Sequence, residues 1–132
     1  MQLILSSLLL LVFAANTYVS SVRIGSFNLQ LYGPKKSSNA SLTDLIATIL
    51  NDFDVGVLQE ITDISLAAPH ILHDALNKMS KSGPYTMTLS PRAGRTSKKE
   101  QYIFFNREST SGVELIKSYL YEDTPTHFQR PP

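Results

Sequence analysis

Two short apolar runs constrain this chain more than anything else in it: Val22-Arg23-Ile24-Gly25-Ser26-Phe27-Asn28 and, further on, Val55-Gly56-Val57-Leu58-Gln59-Glu60. Each ends on one polar side chain, Asn28 in the first and Glu60 in the second. If the runs are neighbouring strands of one sheet, both polar groups emerge together at the strand ends. A carboxylate beside a side-chain amide on such a rim suits a hard divalent cation such as Mg²⁺, which prefers oxygen ligands and keeps several waters. Such a metal polarises a phosphoryl oxygen. Chemistry alone leaves a second description open, in which Asn28 caps a turn and Glu60 is a solvated strand end.

The rest of the pattern is built around these runs. Residues 22–29 read as a strand and 32–40 as a Gly/Pro/Ser/Asn loop. Ser41 stands as the N-cap of a helix, with Asp44 where a capping box has Glu or Gln. Leu42, Leu45, Ile46, Ile49 and Leu50 follow at helical spacing and give one apolar face. Residues 55–58 form a continuous apolar run, as expected for a strand covered on both faces. Ile64, Ala68, Ile71, Leu72, Ala75, Leu76 and Met79 mark a second helix, with Pro69 tolerable only near its first turn. After Gly83-Pro84 the rhythm changes to hairpins: strands at 85–89 and 100–105 around a loop at 90–98, a turn at 106–112 and a final strand at 113–121. Two βα units followed by antiparallel strands imply an α/β chain of the α+β type, a mixed sheet with helices on one face.

Residues 1–21 read as a signal peptide outside the fold. The apolar core at 3–15 has the length of a signal h-region and is short for a membrane span. Its n-region carries no Lys or Arg, which leaves an N-terminal anchor as the alternative. Val19 and Ser21 fit the small-residue rule and set a mature start at Val22, with Ala14 and Asn16 a poorer pair. Secretion and the absence of cysteine together mean that no disulfide supports a small core. A net charge of +1 is too balanced to imply nucleic-acid binding from bulk charge. The sequon Asn39-Ala40-Ser41 lies in a polar loop and can be glycosylated if the chain enters the secretory pathway.

Phe27-Asn28, Gly33, Ser38-Asn39-Ala40 and Gln59-Glu60, then Gly94-Arg95 and Lys99-Glu100-Gln101-Tyr102, occur in order. This series resembles the opening of the DNase I-like deoxyribonucleases of the endonuclease/exonuclease/phosphatase superfamily, over nearly all of residues 22–130. Any one motif is weak; the ordered series is specific. The resemblance implies half of a four-layer α/β sandwich, truncated within the domain, with DNA as substrate and Mg²⁺ and Ca²⁺ as cofactors. It implies Glu60 as metal ligand, Asn28 in the metal and phosphate region, and Glu100 as a buried carboxylate that orients a catalytic histidine. It also places a family glycosylation site at Asn39 and matches Arg130 to an arginine that approaches the scissile phosphate. On it, the two catalytic histidines and the other acidic ligands belong to the half that follows. His70 and His73, on the second helix, are expected at the surface and do not replace them.

Arg92, Arg95, Lys98 and Lys99 cluster in the loop before Glu100. They read either as a phosphate-contacting patch or as a solvated hairpin tip. Departures from the family weaken the DNA contact: Gln30 and Thr62 stand where it has arginines, and Lys98 where it has a base-stacking tyrosine. Met87, Thr88 and Leu89 replace the apolar strand by which some members bind actin, so no actin binding is expected, nor membrane association after signal cleavage. The leading expectation is a secreted, extracellular DNase I-like endonuclease whose partial domain is inactive alone. The alternatives are a non-catalytic secreted binding protein on the same scaffold and another phosphodiesterase of the superfamily, such as a sphingomyelinase-type enzyme.

Overall fold

The computed structural model describes residues 21–122, 127 and 128; residues 1–20 of the expected signal peptide at 1–21, and Arg130, lie outside the described residues. Strand β1 (Ile24–Tyr32) leads through a short helix α1 (Pro34–Ser37) into helix α2 (Ala40–Leu50) and strand β2 (Val55–Ile61). Helix α3 (Ala67–Met79), strands β3 (Thr86–Leu89) and β4 (Gln101–Asn106) and a one-turn helix α4 (Glu108–Ser111) follow. The sheet order is β1-β2-β4-β3. Because α2 carries the chain back to its starting end, β1 and β2 run parallel, with Ile24 opposite Val55 and Asn28 opposite Gln59. β4 is antiparallel to both β2 and β3. The mixed α+β sheet implied by the sequence is thus formed. No helix among the described residues is long and apolar enough to cross a membrane.

The two-residue period of the strands decides what is buried. Leu58 on β2 and Ile103 and Phe105 on β4 are sealed under Ile46, Ala47 and Leu50 of α2 and Ala68, Leu72 and Leu76 of α3. Each fully buried Leu, Ile or Phe contributes about 1.5–3 kcal/mol. Pro69 sits in the first turn of α3, where its missing N–H costs nothing. Ile64 precedes that helix and is 80% exposed, so it does not belong to the apolar face on which the spacing placed it.

Both helix starts differ from the sequence expectation. Asn39, not Ser41, caps α2: its Oδ1 accepts from the Leu42 amide at 3.1 Å. α3 begins at a left-handed Leu66 with no side-chain cap of its own. Asp63 serves it from further back, accepting from the Ala68 amide at 2.7 Å and from the Ser65 amide at 2.9 Å and hydroxyl at 2.8 Å. Burial pushes the Asp63 carboxyl upward, but these hydrogen bonds outweigh it and hold the group below the ordinary carboxylate range.

A buried polar network closes the opposite end of the sheet. Arg107, after β4, pairs with Asp54, before β2, at 3.1 Å. Asp54 also accepts from the Arg23 amide at 2.9 Å and the Thr110 hydroxyl at 2.8 Å. The Arg23 amide, then Thr110 and Arg107, hold the Asp54 carboxyl low. The Arg107 guanidinium lies 5.0 Å from the centre of the Tyr85 ring, whose hydroxyl donates to the Phe53 carbonyl at 2.7 Å.

The expected final strand at 113–121 does not form; the segment has no regular structure. Both flanks of β4 are already occupied by β2 and β3, so the segment has no free ladder beside the strand it follows. Instead Leu115 and Tyr119 lie over the outer sheet face, lining a groove with Tyr102 and Phe104.

Candidate functional site

The rim at the C-terminal ends of β1 and β2 is shaped by a break in both ladders. Register slips between Asn28 and Tyr32 on one side of β2 and between Leu58 and Ile61 on the other. Gln30, Leu31 and Glu60 all adopt left-handed backbone, with φ of 50°, 62° and 61°. For residues with a Cβ this strain costs on the order of 1–3 kcal/mol each. The irregularity releases Glu60 from the simple alternation that buries Leu58 and turns its carboxylate toward β1. Glu60 Oε1 accepts from Asn28 Nδ2 at 2.9 Å, and Oε2 accepts from the Leu31 amide at 3.1 Å. Asn28 Oδ1 in turn accepts from the Gln30 amide at 2.8 Å. Asn28 therefore caps the turn, as the bland description had it, and holds Glu60 as well. From beneath, Lys36 Nζ donates to the Leu29 and Gln30 carbonyls at 2.8 and 2.6 Å.

Glu100 stands immediately before β4. It is buried, and its backbone bridges Ala93 in both directions, at 2.7 and 3.0 Å. Glu60, Ala93, Glu100, Gln101 and Tyr102 line one small cleft. The structure thus brings Glu60 together with Asn28 by direct contact and with Glu100 across this cleft. Gln101 is buried beside them, and its Oε1 accepts no hydrogen bond from the protein. Glu60 and Glu100 bring two carboxylates to this cleft, the oxygen chemistry that a divalent cation such as Mg²⁺ prefers. Among the described residues no three His, Asp or Glu side chains gather into a cage, so Glu60 is the carboxylate that stands ready at the rim.

The basic loop divides into two parts. Arg92 is half-buried; its Nη1 donates to the Thr62 carbonyl at 3.0 Å and its Nη2 to the Lys99 carbonyl. Its fork is engaged by backbone, which removes it from the phosphate-contacting patch. Arg95, Lys98 and Lys99 are exposed. They follow Gly94, whose φ of 143° is open to glycine and strained for other residues. Asn39 is exposed; with Oδ1 in the helix cap, its amide nitrogen is the atom left for modification.

His70 is exposed as expected, but His73 is half-buried. Its Nε2 donates to the Tyr85 carbonyl at 2.7 Å and its ring stacks on Phe105 at 5.7 Å. Neither histidine lines the cleft. Sequence reasoning missed Lys36 and Arg92 as supports of the rim, because both bond to carbonyls, which carry no residue-specific signal.

No family model matches the chain. It is similar to deoxyribonuclease-1 of Rattus norvegicus, 39% identical over 104 residues, which cover 79% of this chain and 36% of that protein. It is similar to deoxyribonuclease-1-like 2 of Mus musculus, 34% identical over 113 residues, or 86% of this chain and 40% of the relative. Deoxyribonuclease-1 of Gallus gallus is 36% identical over 123 residues, 93% of this chain and 40% of the relative. The likeness carried by Phe27-Asn28 through Lys99-Glu100 is therefore one to the DNase I-like deoxyribonucleases, held over most of this chain and over less than half of its relatives' length.

Proposed function

We propose that residues 22–132 contribute one part of the active site of a secreted DNase I-like endonuclease that hydrolyses DNA phosphodiester bonds. The observation that carries this is the shared cleft of Glu60 and Glu100, with Glu60 tied to Asn28. Glu60, with Asn28 beside it, would hold Mg²⁺; a bound metal of this kind supplies polarisation of a phosphoryl oxygen. Ca²⁺ rests on the family resemblance alone. Glu100, fixed by its backbone bridge to Ala93, holds a carboxylate where it can orient an acid–base partner. Arg95, Lys98 and Lys99 offer exposed cations to the DNA backbone, and Arg130 is proposed to approach the scissile phosphate. On β3, Met87 and Leu89 pack against the core, and no actin binding is proposed.

The general acid and base each contribute about 10²–10⁴-fold in rate, and none of His70, His73 and His127 lines this cleft. We therefore propose that the chain does not cut DNA alone. In a plasmid-nicking assay with Mg²⁺, residues 22–132 should leave supercoiled DNA intact. Fused in frame to the remaining part of a relative, they should nick it, and Glu60→Ala should abolish that. A folded fusion without nicking would overturn the nuclease proposal. Metal-dependent nicking by the chain alone, lost on Glu60→Ala, would instead show a site complete within these residues. The exposed cations at 95–99 favour one alternative, a non-catalytic secreted protein that binds polyanions.

A further inference from the structure

Glu60 reaches the cleft from β2 and Glu100 from the residue before β4, and the ladder between these strands is broken beside Glu60. β2 and β4 pair regularly from Val55 opposite Asn106 to Leu58 opposite Ile103, then slip before Ile61 meets Gln101. Glu60 lies inside that slip, in left-handed backbone, and Glu100 lies just outside the start of β4. Beside the two carboxylates the sheet therefore ties β2 to β4 only through the single Ile61–Gln101 pair. One side chain adds a second tie. Arg92 donates from one terminal nitrogen to the carbonyl of Thr62, two residues past Glu60, and from the other to the carbonyl of Lys99, next to Glu100. A guanidinium is planar and rigid, so two bonds from its two ends set the distance between the groups they hold. Thr62 is itself anchored, its amide donating to the Tyr32 carbonyl at 2.8 Å.

We propose that Arg92 is a positioning residue that fixes the span between the Glu60 and Glu100 carboxylates through these two carbonyls. This rests on the proposed role of Glu60 as a metal ligand. Lysine places a point charge where arginine places a fork, so Arg92→Lys can hold one carbonyl and release the other. Arg92→Gln can span neither as arginine does.

The test uses the full chain, its Arg92→Gln and Arg92→Lys variants, and amide NMR with two probes. The first probe is Mn²⁺, whose paramagnetism broadens signals near its binding site. In the unaltered chain Mn²⁺ should broaden the Glu60 and Glu100 amides together. In Arg92→Gln the Glu60 broadening should persist while that of Glu100 falls severalfold, and Arg92→Lys should lie between them. The second probe needs no metal: Glu60→Gln should move the Glu100 amide signal in the unaltered chain and leave it in place when Arg92→Gln is already present. Equal Glu100 responses in all three chains, with either probe, would overturn the positioning role. Mn²⁺ that leaves Glu60 unbroadened in the unaltered chain would sink the metal assignment, while the metal-free probe still decides the role of Arg92. A loss of thermal stability with unchanged Glu100 responses would make Arg92 a structural brace only.

Discussion

Arg107 and Asp54 form an ion pair at 3.1 Å with both side chains nearly sealed from solvent, 6% and 9% exposed. The pair joins the end of β4 to the approach of β2 at the sheet edge away from the candidate site. Removing one partner strands the other charge in the interior, at a cost of about 3–5 kcal/mol. Arg107→Met should lower the urea midpoint and the melting temperature by a corresponding amount. A change under about 1 kcal/mol would show that water reaches Asp54.

Acid should weaken the same end of the molecule and the start of α3 together. Asp54 and Asp63 both titrate below the ordinary value of 3.8 in the folded chain. The folded state therefore binds fewer protons than the unfolded state in that range. Their contribution is complete above 3.8 and is lost as pH falls through the folded values. Urea unfolding from about pH 5 downward should show stability falling with pH, and Asp54→Asn should flatten that fall. A parallel curve in the variant would remove Asp54 as its cause.

Asn28 holds two things, the Glu60 carboxylate and the Gln30 amide. Both bonds are exposed, so Asn28→Ala should cost only about 0.5–1.5 kcal/mol of stability. Loss of a group that orients a metal ligand typically lowers metal affinity about 10–100-fold. Calorimetric titration with Mn²⁺ should find affinity falling well beyond what the stability change accounts for. Equal affinity would leave Asn28 as a turn cap alone.

The cations at Arg95, Lys98 and Lys99 should act through charge, not through base recognition. Each phosphate contact removed reduces the slope of log affinity against log salt by about 1. Replacing all three by Ala should flatten the salt dependence of DNA binding without changing sequence preference. An unaltered slope would return these residues to a solvated hairpin tip.

Asn39 caps α2 and is also the proposed glycosylation site, two roles that single substitutions can separate. In a secretory host the product should start near Val22 and lose mass on glycosidase treatment. Asn39→Asp keeps an oxygen for the Leu42 amide and removes the glycan site, so it should change mass and leave stability nearly intact. Asn39→Ala removes both and should cost about 1 kcal/mol. A product in the medium with no glycosidase shift would overturn the modification.

Short-range regularities were the legible part of this chain. The continuous apolar run at 55–58 and the helical spacing from Leu42 to Leu50 located β2 and α2, and Asn28 and Glu60 meet as their positions at strand ends implied. Residues 113–121 misled because their apolar content resembles a strand, whereas a strand also needs an open neighbour. His73 misled because its partners, Tyr85 and Phe105, are distant in sequence. Asp54 and Arg107 gave no periodic signal; only the antiparallel pairing of β2 with β4 brings them together.

The strand order also sets a sequence of events. Asn28 and Glu60 belong to one β-helix-β unit, whose contacts close over short stretches of chain, whereas Glu100 arrives only when β4 docks on β2 after two intervening elements. Contacts of larger sequence separation form later, because more chain must be ordered before they stabilise anything. The two halves of the cleft therefore close over different spans of chain. A nascent chain that ends at α3 holds both partners of the Asn28–Glu60 rim and lacks Arg92 and Glu100.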